Sequence, residues 1–166
     1  MRIIGIDPAL KITGFGIIDD NKGKLSLVQA GTVITSTEDK MAFRLSQIFD
    51  SLNGLFAEFK PQVMVLEKIY SHSTHPATSF VLGQARGVIC LAAEKAKLKL
   101  VEYSATHVKK SIVGRGLASK EQVQSMVAAL LGIKTLPKYK DVTDALALAI
   151  SYSYFSKANK FNLFLK

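Results

Sequence analysis

RIIGIDPALKITGFGIIDDNKGKLSLVQAGTVI, residues 2–34, reads as three strands in succession. Residues 2–7 are a short Ile-rich run ending on Asp7, the pattern of a buried strand. Pro8 closes that ladder because it has no N–H to give. A second apolar run, Phe15–Ile18, is closed by Asp19, Asp20 and Asn21. Gly14 and Gly16 flank its start, where a turn between strands is expected to need permissive backbone. Asn21-Lys22-Gly23 then predicts a hairpin into a third strand over Leu25–Ile34. The expectation is an antiparallel meander.

Downstream the period changes. Met41, Leu45, Ile48, Phe49, Leu52, Leu55, Phe56 and Phe59 fall on one stripe of a 3.6-residue helix. Thr35 and Glu38 have capping-box spacing before it, and Pro61 stops it. Val63–Leu66 reads as a buried strand with Glu67 at its carboxyl end. Residues 71–79 are polar and contain a proline, so they read as a loop. A long Ala-rich helix to about Lys97 follows, then a strand at Leu98–Tyr103 and a short helix bearing His107. Ser119 with Gln122 predicts a capped helix stopping at Gly132, and a last helix covers about Asp141–Phe155. The fold class is therefore α/β, with a five-stranded mixed sheet flanked by helices. One domain over residues 1–156 and a basic tail over 157–166 account for the chain.

With 166 residues and 48% apolar content, the chain can bury a core without disulfide staples. A single Cys90 cannot form an internal disulfide, which favours a reducing, cytoplasmic setting. No apolar run suits a membrane span, and the N-terminus turns polar at Asp7, too early for a signal peptide. Against 13 acidic residues stand 22 Lys and Arg, a charge of +9 that points to a polyanion such as nucleic acid.

In open α/β sheets, sites gather at the carboxyl ends of strands. Asp7 and Glu67 occupy two such ends. Asp141 and Asp144, spaced i and i+3, open the last helix on one face. Each has a plainer explanation: a turn at Asp7-Pro8, an ion pair between Glu67 and Lys68, and dipole-favoured residues at a helix start. Together they are a cluster of like charges that would repel unless a hard cation joined them. Mg²⁺ takes oxygen ligands of this kind, and two such ions form a phosphodiester-cleaving arrangement. An all-oxygen set without cysteine argues against zinc. His72 and His75 have H-x-x-H spacing but no third soft ligand.

GIDPALKITGFGIID, VLEKIY, LGQARG, ATHVKKSIVGRGLASKEQVQ and DVTDALALAI occur in this order over roughly residues 1–155. As an ordered set they closely resemble the bacterial RuvC crossover-junction endodeoxyribonucleases. The resemblance implies a ribonuclease H-like fold. It implies a homodimer that resolves four-way (Holliday) DNA junctions by paired, Mg²⁺-dependent nicks during recombination and repair. Two Mg²⁺ per subunit, with Mn²⁺ as a substitute, and a RuvA–RuvB branch-migration partner are also implied. The family's metal-binding carboxylates match Asp7, Glu67, Asp141 and Asp144. Tyr70 matches an aromatic on the loop entering the junction, and Lys109 and Lys120 match lysines near the scissile phosphate. The helix bearing Gly83 and Gly87 matches one that contributes to the dimer contact. Two departures stand out. Ala9 replaces a common glycine, a strain if the position needs positive φ. Val81 replaces a lysine of some members, a charge then left to Arg86 or the C-terminal lysines. The opening hairpin also resembles the phosphate-binding hairpin of actin-like sugar and acetate kinases. Those require a duplicated domain and a second glycine-rich loop, which this chain lacks.

Overall fold

The computed structural model describes residues 1–68, 76–135 and 138–163. Among the described residues, five strands and five helices follow in the order β1 (Arg2–Asp7), β2 (Ile12–Asn21), β3 (Lys24–Ile34), α1 (Met41–Phe59), β4 (Val63–Glu67), α2 (Pro76–Lys95), β5 (Lys99–Tyr103), α3 (Ala105–Val113), α4 (Lys120–Leu131) and α5 (Lys140–Leu163). The sheet order is β3-β2-β1-β4-β5. Its β3-β2-β1 half is antiparallel and its β1-β4-β5 half is parallel. The mixed sheet predicted from the sequence is thus present. At the first hairpin Lys22 and Gly23 both have positive φ, 52° and 106°, which matches a two-residue turn to the twist of its strands.

Alternation along β1 sorts the molecule into three layers. Ile4 and Ile6 join Ile17, Met64 and Leu66 beneath Ile48, Leu52 and Phe56 of α1 and Ala85, Ile89 and Ala92 of α2. Ile3 joins Ile18, Val63 and Val65 beneath Val108 and Ile112 of α3, Val123 and Val127 of α4, and Leu146 and Ile150 of α5. Side chains two apart share a face. Asp7 therefore lies on the α5 side with Ile3, and Glu67 lies there with Val63 and Val65. Ile6 pairs with Leu66 in parallel register, so the two carboxylates end neighbouring strands on one face.

Gly14 and Gly16 lie inside β2 rather than in a turn, and neither has positive φ. Close approach explains them. A Cβ on Gly14 would meet the Asp141 carbonyl oxygen at 2.2 Å, and one on Gly16 would meet Leu146 Cδ2 at 2.5 Å. Gly5 is tighter still, with Ala145 O at 1.9 Å. The three glycines form a floor on which α5 lies against the sheet.

The capping box expected at Thr35 and Glu38 does not form. Helix α1 starts at Met41 after Lys40, with no side-chain cap. Thr35 is buried; its hydroxyl donates to Leu10 O at 2.5 Å and accepts from Arg44 Nε at 2.9 Å. It ties the loop after Asp7 to α1 instead. Ala9 is not among the residues with positive φ, so alanine costs no backbone strain there. The loop expected through residue 79 ends sooner, because Pro76 opens α2, a position where its missing N–H is no loss. Helix α4 has the expected Ser119–Gln122 capping box and stops at Gly132, with φ 65°.

Helix α5 runs through residue 157 without a break and on to Leu163. Lys157 Nζ reaches back to Asp20 Oδ2 at 3.1 Å and Ser153 Oγ at 3.0 Å. Asp20 also accepts from the Ser153 hydroxyl at 2.6 Å and the Gly23 amide at 2.8 Å. Among the described residues, no helix is long and apolar enough to cross a membrane.

Candidate active site

Three elements deliver the four predicted carboxylates to one end of the sheet. Strand β1 presents Asp7 and β4 presents Glu67. The first turns of α5 present Asp141 and Asp144, held close because Gly14, the register partner of Asp7, lies directly beneath Asp141. Two adjoining clefts meet at Glu67. One, of about 360 Å³, is lined by Asp7, Glu67, Lys68, Ser104 and Thr106. The other, of about 190 Å³, is lined by Glu67, Asp144, Lys109 and Lys120.

Burial and like charge act together on these carboxyls. Burial raises the Asp7 carboxyl to about 7, helped by the charges of Asp144, Glu67 and Asp141; Lys120 opposes them. Burial also raises Glu67, with Asp144 adding to it and Lys120, Arg86 and Lys109 working against it. A carboxyl shifted this far in a cleft marks a site where negative charge is undercompensated. Lys120 Nζ stands 3.5 Å from Asp144 Oδ2 with 63% of its side chain exposed, so its ammonium stays open to solvent.

These donors suit a hard divalent cation: all are anionic oxygens, and they already repel one another around Asp7. Among the described residues, no three acidic, His or Cys side chains are drawn together tightly enough to grip an ion as they stand.

Lys109 and Lys120 both line the cleft that Glu67 and Asp144 border. Arg86, expected at the DNA, turns inward. Its side chain is 15% exposed, its Nη1 donates to the Glu67 carbonyl oxygen at 2.7 Å, and its Nη2 pairs with the Glu102 carboxylate. Tyr70, His72 and His75 lie outside the described residues. His107 sits in the first turn of α3; its Nδ1 is 3.1 Å from Ser104 Oγ and its ring packs edge-on to Phe155. Reading the sequence missed Ser104 and Thr106 in the cleft wall, and it missed why the glycines are where they are. Small residues at both ends of the helix–sheet contact, Gly5 against Ala145 and Ala149, were the available signal.

Known proteins resemble this chain in sequence and fold. A family model described as crossover junction endodeoxyribonuclease RuvC matches residues 3–152. The enzyme of that name from Brevibacillus brevis is 42% identical over 155 residues, 93% of each chain. Its namesake from Syntrophomonas wolfei is 37% identical over 161 residues, 97% of this chain and 93% of its own. A structure of T. thermophilus RuvC in complex with Holliday junction substrate superposes with a TM-score of 0.90 at 27% identity, covering 96% of both chains. The yeast mitochondrial Holliday junction resolvase, 18% identical with a TM-score of 0.65, shares the fold. A match that runs from β1 into α5 takes in the whole sheet and all four carboxylate positions, and it places the chain in the crossover junction endodeoxyribonuclease RuvC family.

Proposed function

We propose that the protein is an endonuclease that resolves four-way DNA junctions, acting as a homodimer with divalent metal at the Asp7 cluster. The observation that carries this reading is the buried Asp7 carboxyl, raised to about 7 amid three further carboxylates, in a chain of this family.

Asp7, Glu67, Asp141 and Asp144 would hold the metal, with Mg²⁺ the best match to their hard oxygen donors. Divalent ions held by these four carboxylates would lower the pKa of a bound water and neutralise charge at the leaving oxygen. Lys120 and Lys109, bordering the same cleft, orient the scissile phosphate and offset its charge. Lys120 also tempers the repulsion on Asp7 and Glu67. Tyr70, three residues beyond Glu67, is assigned to stack on an unpaired base at the branch point, worth about 1–3 kcal/mol.

The dimer reading rests on α2. Phe80, Gly83, Gly87 and Leu91 form one stripe on the side away from the core, with Phe80 69% and Leu91 50% exposed. A Cβ on Gly83 or Gly87 would meet nothing within 4 Å, so a second α2 can approach closely. Two-fold pairing would give two like sites for the two like strands of a junction. Partnership with RuvA–RuvB and a cytoplasmic location are proposed on family membership.

The test compares a four-way junction, a linear duplex and an RNA–DNA hybrid, each with Mg²⁺ and with chelator. Paired, symmetric, metal-dependent cuts in the junction alone are expected. Preferential cutting of the hybrid would overturn the substrate assignment.

A further inference from the structure

The Glu67 carbonyl is the last acceptor of β4, one residue past the Ile6–Leu66 pair that ends the β1–β4 ladder. Its partner comes from a helix instead of a strand: Arg86 Nη1 donates to it at 2.7 Å. The other arm of the guanidinium pairs with Glu102, whose β5 position faces Leu66 across the parallel ladder. On the other edge of β4, the Lys68 amide of the same peptide donates to Tyr103 O at 2.8 Å. The Glu67–Lys68 peptide, which follows the Glu67 side chain, is thus held at both of its polar atoms, its N–H by the sheet and its carbonyl by Arg86. A planar guanidinium can span a carbonyl and a carboxylate at once, whereas an ammonium acts as a point charge. With only 15% of its side chain exposed, Arg86 is poorly placed to meet a phosphate.

We infer that Arg86, anchored by Glu102, is a positioning residue that sets the direction of the Glu67 carboxylate toward the metal-binding cluster, rather than a DNA contact. This rests on the reading of Glu67 as a metal ligand. Partners of this kind, one shell out from a metal, typically cost about 10–100-fold in metal affinity when removed.

The experiment titrates Mn²⁺ into the full-length protein without DNA, reading free Mn²⁺ by electron paramagnetic resonance. In parallel it measures four-way junction affinity in chelator. Arg86→Gln is expected to weaken Mn²⁺ binding about tenfold or more and to leave junction affinity within about twofold. Arg86→Lys should fall between that variant and the parent, since one ammonium cannot span both partners. Glu102→Gln, a change at a half-exposed strand residue, should weaken Mn²⁺ binding less, and adding it to Arg86→Gln should cost little more. Unchanged Mn²⁺ affinity in Arg86→Gln, or a loss of junction affinity with metal binding intact, would overturn the inference. Should Arg86→Gln not fold, Glu102→Gln decides: unchanged Mn²⁺ affinity overturns it. A parent protein that itself binds no Mn²⁺ would sink the metal-site reading instead, so the two failures are distinguishable.

Discussion

At Asp7, burial and three neighbouring carboxylates push in one direction, and the carboxyl titrates near 7 instead of near 3.8. The folded, metal-free protein therefore holds a proton that the unfolded chain releases, so stability falls as pH rises from about 4 through 7. Asp7→Asn removes that charge. In chelator, this variant should melt several degrees above the parent at pH 8 and close to it at pH 5, as read by thermal denaturation. The same variant should bind a four-way junction normally and leave it uncut. Cutting at the parent's rate would remove Asp7 from the metal set. Sites tuned for chemistry commonly give up stability in this way.

Among the elements, α5 shows where the sequence was legible and where it was not. Its apolar run and the Asp141–Asp144 spacing were readable because helical period puts i and i+3 on one face. Its distance from the sheet was not readable. Gly14 looks like a turn residue from its local neighbours, and only the packed helix shows that Asp141 fills the space a side chain would need. Gly14→Ala is expected to cost about 2 kcal/mol or more, as overpacking does, and to depress cleavage further by lifting Asp141; urea denaturation and single-turnover rates would read the two effects. Thr35 fails as a cap for a related reason. Capping-box spacing is local, whereas Leu10 and Arg44, which claim its hydroxyl, come from elsewhere in the chain. Strand ends, by contrast, were legible because Asp7 and Glu67 each stop an unbroken apolar run.

The far end of α5 is held by Asp20. Burial pushes this carboxyl up, but bonds from Ser153, the Gly23 amide and Lys157 outweigh it and leave it below its ordinary range. A depressed carboxyl contributes stability above its unfolded value that is lost as pH falls through its folded one. Asp20→Asn should therefore lower the melting temperature at pH 7, with the gap to the parent closing below about pH 4.

For the whole molecule, the net charge of +9 conceals a division. Setting aside the four clustered carboxylates leaves nine acidic residues against 22 basic ones, or +13 around a pocket of −4. Such a body attracts the phosphate backbone and concentrates divalent cations at one spot. The apolar stripe on α2 breaks that charged exterior. Leu91→Glu places a charge there, on a residue whose neighbours Ala92 and Ala93 hold the core side. Light scattering at micromolar concentration should show the parent as a dimer and Leu91→Glu as a monomer with an unchanged melting profile. A monomeric parent would remove paired incision.

The glycine floor under α5 has a consequence for biosynthesis. β1 and β2 leave the ribosome well before the helix that supplies Asp141 and Asp144. Domains fold as units during synthesis, and contacts distant in sequence close late. Until α5 emerges and settles onto Gly5, Gly14 and Gly16, half of the carboxylate set is missing. A chain still being made would thus carry its basic surface before its carboxylate cluster, which would be completed only once α5 is in place.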